Sequence, residues 1–151
     1  MHLLMWVLAA GGVVVSGCGG VREEARIIIP ATMSPRVTRV LEDMQSYVSE
    51  AYDAKDKRHL RRLSDLSGAI VERCEILRGT RDAPPPPAEE WGGVSEEQYG
   101  QIIGMIETLE STAKWCRDYA KDMQYSRLEG AWKAFVGQYG VLRRVVEGLG
   151  P

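Results

Sequence analysis

The chain has 151 residues, room for one domain of ordinary size. Hydrophobic residues make up 44% and charged residues 26%, too apolar a balance for a disordered chain. With 19 basic and 21 acidic residues the net charge is −2, so no global positive field recruits nucleic acid and no nucleic-acid partner is expected.

The first element is the apolar run from Leu3 to Val15, of signal-peptide length and too short to span a bilayer as a helix. It ends at Val15-Ser16-Gly17-Cys18, an aliphatic residue and two small ones before a cysteine. That pattern resembles the lipobox of bacterial lipoproteins. The resemblance implies a signal peptide over residues 1–17, alkylation of the Cys18 thiol by a diacylglyceryl group, and a second acyl chain on the amine freed by cleavage. Two chains matter, because a single one holds a protein to a membrane only marginally. The implied address is the bacterial cell envelope on the periplasmic side. Gly19 stands where some lipoproteins carry an inner-membrane retention aspartate, which favours the outer membrane.

Residues 18–33 read as a tether, with Ile27-Ile28-Ile29 either a strip docked on the folded domain or a short extended segment ended by Pro30. The domain proper is expected over 34–151. Ser34-Pro35 is a capping residue followed by proline at the first helical position, where its missing N–H costs nothing. Val37, Leu41, Met44, Val48 and Ala51 then share one face of a first helix over about residues 35–53. The second helix has its seam at Leu60, Leu63, Ser67, Ile70, Cys74 and Leu77 and stops at Gly79. Continuing the first seam would bury Lys55, Arg58 and Arg62, so a turn is expected at Asp53 to Asp56, with Asp56 as the cap.

The next stretch, 79–93, contains Pro84 to Pro87, which enforce extended backbone and end any helix. With Trp91 beside them they could serve as a docking ligand for an aromatic groove. The favoured reading is a spacer whose tryptophan folds back on the domain.

Ser95 and Gln98 form a capping box that opens a third helix. Its seam is Tyr99, Ile102, Ile106, Leu109, Ala113, Cys116, Ala120 and Met123, about 30 residues of helix and about 45 Å. Ser126 and Glu129 suggest a second box for a fourth helix, with Leu128, Ala131, Trp132, Phe135, Tyr139, Leu142, Val146 and Leu149 inward. Gly130, Gly137 and Gly140 within it are costly in a helix, which suggests close packing, a bend or a small cavity. The sum is an all-α fold, a four-helix bundle of up-down-up-down topology with a long Pro-rich connection between helices two and three.

The helix order, the proline-containing middle loop ending in Trp91, and the closing segment AWKAFVGQYGVLRRVVEG resemble the cytochrome c-prime family of four-helix bundles. That family attaches haem through a Cys-x-x-Cys-His motif in its last helix, where this chain has Gly140-Val141-Leu142-Arg143-Arg144. After His2 the remaining histidine is His59, set in a basic stretch and poorly placed to oppose an inward ligand such as Met44. No cofactor is expected.

Cys74 and Cys116 both fall on core seams, so they form either a disulfide or two buried thiols. In an antiparallel arrangement Cys74 would lie level with Tyr99 to Ile102, about 20 Å from Cys116, whereas a bridge needs Cα atoms within about 7 Å. The up-down-up-down reading therefore favours thiols, and a bridge would require parallel helices two and three. The basic run from Lys55 to Arg62 reads as a solvated turn interleaved with Asp53, Asp56 and Asp65, or as a lipid-headgroup contact facing the membrane.

No metal-ligand spacing, phosphate loop or nucleophile elbow is present, and the paired carboxylates Glu89-Glu90, Glu96-Glu97 and Glu107/Glu110 sit at caps and helix surfaces. The expected function is non-enzymatic: a membrane-anchored envelope lipoprotein in an interaction or structural role, with Tyr47, Tyr52 and Tyr125 as a contact strip for an envelope protein. The alternative is a ligand carrier of the cytochrome c-prime-like type, haem-free or binding haem non-covalently.

Overall fold

A computed structural model describes residues 20–149. The signal segment, Cys18 and Gly19 lie outside the described residues. Ser34 caps the first helix through its hydroxyl, which accepts from the Val37 amide at 3.1 Å, and Pro35 follows in the first turn of α1 (Pro35–Asp56). The helices α2 (Leu60–Arg78), α3 (Glu96–Lys121) and α4 (Tyr125–Gly148) complete an all-α four-helix bundle, with a short 3-10 turn at Ala88–Trp91 in the middle connection.

Each helix packs on the next in sequence. The Ser64 hydroxyl early in α2 donates to the Arg117 carbonyl late in α3 at 2.9 Å, and Lys55 late in α1 meets Glu129 early in α4 at 2.6 Å. Neighbours are thus antiparallel, and the α1–α2 and α3–α4 turns share one end of the bundle. That end is called the turn end below; the Pro-rich connection lies at the other.

The seams of α1 and α2 are buried as their periodicity requires, from Val37 to Ala51 and from Leu63 to Leu77. Boundaries differ. Helix α1 runs to Asp56, so the turn is 57–59, and Asp56 is no cap: the residue before α2 is His59, with no side-chain cap hydrogen bond. Helix α3 spans 26 residues and stops before Met123, which is 61% exposed rather than part of the seam. Helix α4 begins at Tyr125 without a side-chain cap, so the box expected at Ser126 and Glu129 does not form; Glu129 is used by Lys55 instead.

Both short turns close in the same way. The amide of His59 reaches back to the Ala54 carbonyl at 2.9 Å and that of Gln124 to Tyr119 at 2.9 Å, while Arg58 and Met123 take φ of +56° and +55°. These are Schellman closures with non-glycine residues in the left-handed position, where glycine is usual. Neither stop carries a glycine, so the residue pattern does not mark either boundary.

In the middle connection Gly79 holds φ of +82°, and Pro85 lies so close that an added Cβ would approach its Cδ to 2.5 Å. Trp91 is fully buried and Pro86 is buried, its carbonyl accepting from the Tyr99 hydroxyl at 2.8 Å. The connection is stapled to the bundle, and the Ser34 amide bonds the Glu90 carbonyl at 2.9 Å.

No Cα of α1 lies within 8 Å of a Cα of α4. The seam between them is occupied by the segment that precedes α1. Ala25, Ile27 and Met33 are buried in the core, while Ile28 is 69% exposed. This strap has no strand to pair with, so side chains of both helices satisfy its backbone. Ser49 and Gln45 of α1 accept from the Arg22 and Ile27 amides at 2.9 and 2.7 Å. From α4, Tyr139 donates to the Ala25 carbonyl, Arg143 to the Glu24 carbonyl at 2.9 Å, and Glu147 accepts from the Ile28 amide at 3.2 Å. The expected tether is thus built into the domain from about residue 21 onward.

Candidate functional site

The strap enters the bundle at the turn end. The Arg22 guanidinium lies 4.9 Å over the Tyr52 ring and pairs with Asp53 at 3.0 Å and Asp56 at 2.9 Å, on the last turns of α1. This placement changes the charge of the neighbouring surface. The aspartates expected to neutralise the basic turn are drawn to Arg22, while Lys55 and Arg62 are taken by Glu129 and Glu50. Lys57, Arg58, Arg61, Lys121 and Arg127 make no ion pair among the described residues, against Glu23, Asp65 and Asp122 as unpaired acids of the same end.

Small residues open a groove beside these charges. Ser64, Gly68 and Ala69 of α2 face Arg117 and Lys121 of α3 across an open cleft of about 1000 Å³. A second cleft of about 570 Å³ runs from Lys55 to Glu129, and the two share Arg58, Leu60 and Tyr125. Their walls are charged on the rim and apolar at Leu60, Leu128, Met123 and Tyr125. A shallower cleft between α3 and α4 is lined by Trp115, Tyr119 and Arg127. Of the exposed large apolar side chains, Ile28, Ile76, Trp115, Met123 and Tyr125, the last three gather toward the turn end.

The expected tyrosine strip is not formed. Tyr47 and Tyr52 are half-buried under Arg73 and Arg22, at 5.8 and 4.9 Å from ring to guanidinium carbon, and Tyr52 also meets Trp132 edge-on at 5.1 Å. Tyr125 alone of the three is free, 53% exposed. Tyrosines at i and i+5 on a helix diverge in direction, so their shared residue type carried no shared face.

Cys74 and Cys116 are both free and buried. Burial pushes the Cys74 thiol up strongly, with the Glu110 carboxylate adding to it, and burial pushes Cys116 up to about 12. Their separation differs from the expected one: Arg78 near the end of α2 reaches Glu110, so Cys74 lies level with the middle of α3 rather than with Tyr99 to Ile102. The offset from Cys116 along the axis is therefore smaller than the about 20 Å expected, and both thiols are nonetheless free. The mismatch arises because α3 begins well beyond the end of α2.

Glu110, expected on the surface, is a buried carboxylate, at 4% exposure. Arg78 holds it with a bidentate pair and Lys114 adds a contact at 3.1 Å; the Arg78 hydrogen bonds keep its carboxyl below the usual glutamate range. Both acceptor oxygens are occupied, which makes this a structural ion pair. His59 is exposed at the turn end and Met44 is fully buried mid-helix, about 18 Å away along α1, so the structure does not bring this pair together as axial ligands. Among the described residues no group of three or more His, Cys, Asp or Glu could hold a metal, and no helix is long and apolar enough to cross a membrane.

No protein-family model matches the chain, and no curated protein or solved structure shows significant similarity to it.

Proposed function

We propose that the protein is a membrane-anchored envelope lipoprotein whose helical bundle has a non-enzymatic, interaction or structural role. The observation that supports this reading is the strap. A free tether would leave the bundle at any orientation, whereas this chain leaves the turn end from a segment locked to α1 and α4 by the five side-chain to backbone hydrogen bonds and two ion pairs named above. Cys18 lies four residues before Arg22, a reach of at most about 14 Å. A lipid on Cys18 would therefore hold this bundle against the surface with its turn end nearest. The side-chain chemistry beside it is that of contact, with aromatic and basic residues exposed and the buried carboxylate already paired.

Expression in a bacterial host and intact mass of the membrane-extracted chain tests the reading. The expected mass begins at Cys18 and carries acyl chains, and Cys18→Ala moves the protein out of the membrane fraction. A mass that retains residues 1–17, or lacks lipid, overturns it.

A further inference from the structure

We infer that the turn end is a docking face for an anionic phospholipid surface, so that the bundle stands on the membrane rather than swinging from its anchor. The inference rests on the lipoprotein reading and adds to it a specific face and a specific lipid chemistry.

Three independent features converge on that face. The chain outside the described residues leaves from it: Arg22 is fastened to Asp53 and Asp56, and Cys18 lies only four residues upstream. Lipidation would bring a bilayer to this end and to no other. The charge is complementary locally: Arg22 is shared by Glu24, Asp53 and Asp56, while Lys57, Arg58, Arg61, Lys121 and Arg127 form a cluster without acidic partners among the described residues. Anionic headgroups attract such clusters within about a Debye length.

The third feature is apolar. Met123 projects from a left-handed turn at 61% exposure, Tyr125 follows at 53%, and Trp115 is 50% exposed about 9 Å back along α3. A tryptophan and a tyrosine with an apolar body and a polar tip suit the headgroup layer, and a methionine at the tip suits the acyl boundary. Both short turns place a side chain outward where a glycine closure would leave none: Arg58 on one, Met123 on the other. A protein-facing reading of the same patch lacks the first feature, since nothing else on the molecule directs a protein partner to the anchor end.

The test uses the full chain purified from membranes and returned to vesicles of phosphatidylcholine with or without phosphatidylglycerol. An environment-sensitive dye is attached at Met123→Cys, at Tyr125→Cys, and at Glu97→Cys on the opposite end. Cys74 and Cys116 are buried and stay unlabelled, and the Cys18 thiol is alkylated in a lipidated chain. In vesicles containing phosphatidylglycerol, the labels at 123 and 125 are expected to shift blue and lose severalfold of their quenching by an aqueous quencher. The label at 97 should not change, and Arg58→Glu with Arg61→Glu, or high salt, should abolish the protection.

Labels at 123 and 125 that stay as quenchable as the one at 97 overturn the docking face. Intact mass of the same preparation separates the two readings: a lipidated chain with wet labels removes this inference alone, and an unlipidated chain removes both. Equal protection in pure phosphatidylcholine removes the anionic requirement and with it the inference as stated.

Discussion

Gly79 and Gly137 show how differently one residue type can be used within the same fold. At Gly79 the backbone has φ of +82° and ψ of 152°, a region that side chains avoid, and the Pro85 ring occupies the place of a Cβ. Gly79→Ala is expected to cost on the order of 2 kcal/mol or more in denaturant unfolding. Of the close packing, bend or small cavity that Gly130 and Gly137 suggest, close packing is absent, since a Cβ at either meets nothing within 4 Å, and Gly130 lines the cleft between α3 and α4. Gly137→Ala should instead stabilise the protein by about 0.5–1 kcal/mol, read in the same experiment. Tyr139 illustrates a third case: its ring continues the aromatic row through Phe135 and Trp132 and its hydroxyl bonds the Ala25 carbonyl. Tyr139→Phe keeps the packing and strands that carbonyl, at a cost of about 1–3 kcal/mol, with faster hydrogen exchange at the Ile27 amide.

At the scale of elements, the helices were legible because each buries a stripe against its neighbour, and a stripe is periodic. The seams Val37 to Ala51, Leu63 to Leu77 and Ile102 to Ala120 fell where spacing placed them. The strap was not legible. Its short run has no period, and its stability comes from partners more than a hundred residues away on α4. A signal did exist in the helices that receive it: Gln45, Ser49 and Asp53 on α1, and Tyr139, Arg143 and Glu147 on α4, each recur every fourth residue. Polar ladders of that kind beside an apolar seam mark a groove with a backbone in it. Ser34 and Ser95 show that caps were readable where hydroxyl and amide are local, and the absent box at Ser126 shows the limit, since α4 starts before that serine.

For the whole molecule, titration of buried groups sets the pH range of stability. Glu110 has its carboxyl held below the ordinary value of 4.5 chiefly by Arg78. Its contribution is complete above that value and is lost as pH falls through the lower folded one. Glu110→Gln should make the acid limb of the stability curve shallower while lowering stability at neutral pH. The alkaline limb has the opposite sign. Cys74, Cys116 and Tyr139 are all raised by burial, so the unfolded chain gives up their protons first. Stability falls as pH rises from the ordinary thiol value of 9.0 toward about 12, and Cys74→Ala with Cys116→Ala should flatten that fall. Because the thiolate is the reactive form, the Cys74 and Cys116 thiols should resist a disulfide reagent at neutral pH and, in a chain alkylated at Cys18, titrate as two on denaturation.

The sequence by itself determined the number of helices, their inward faces and the long middle connection, since hydrophobic periodicity, serine caps and a proline run act over a few residues. The lipobox resemblance, likewise local, supplied the anchoring hypothesis. Only the tertiary structure decided which charges are left over at the turn end, because ion pairing joins residues that sequence keeps apart: Arg22 takes Asp53 and Asp56, and Glu129 takes Lys55. It alone decided that Tyr47 and Tyr52 are occupied while Met123 and Tyr125 face outward, for exposure depends on how four helices and a strap close around one core.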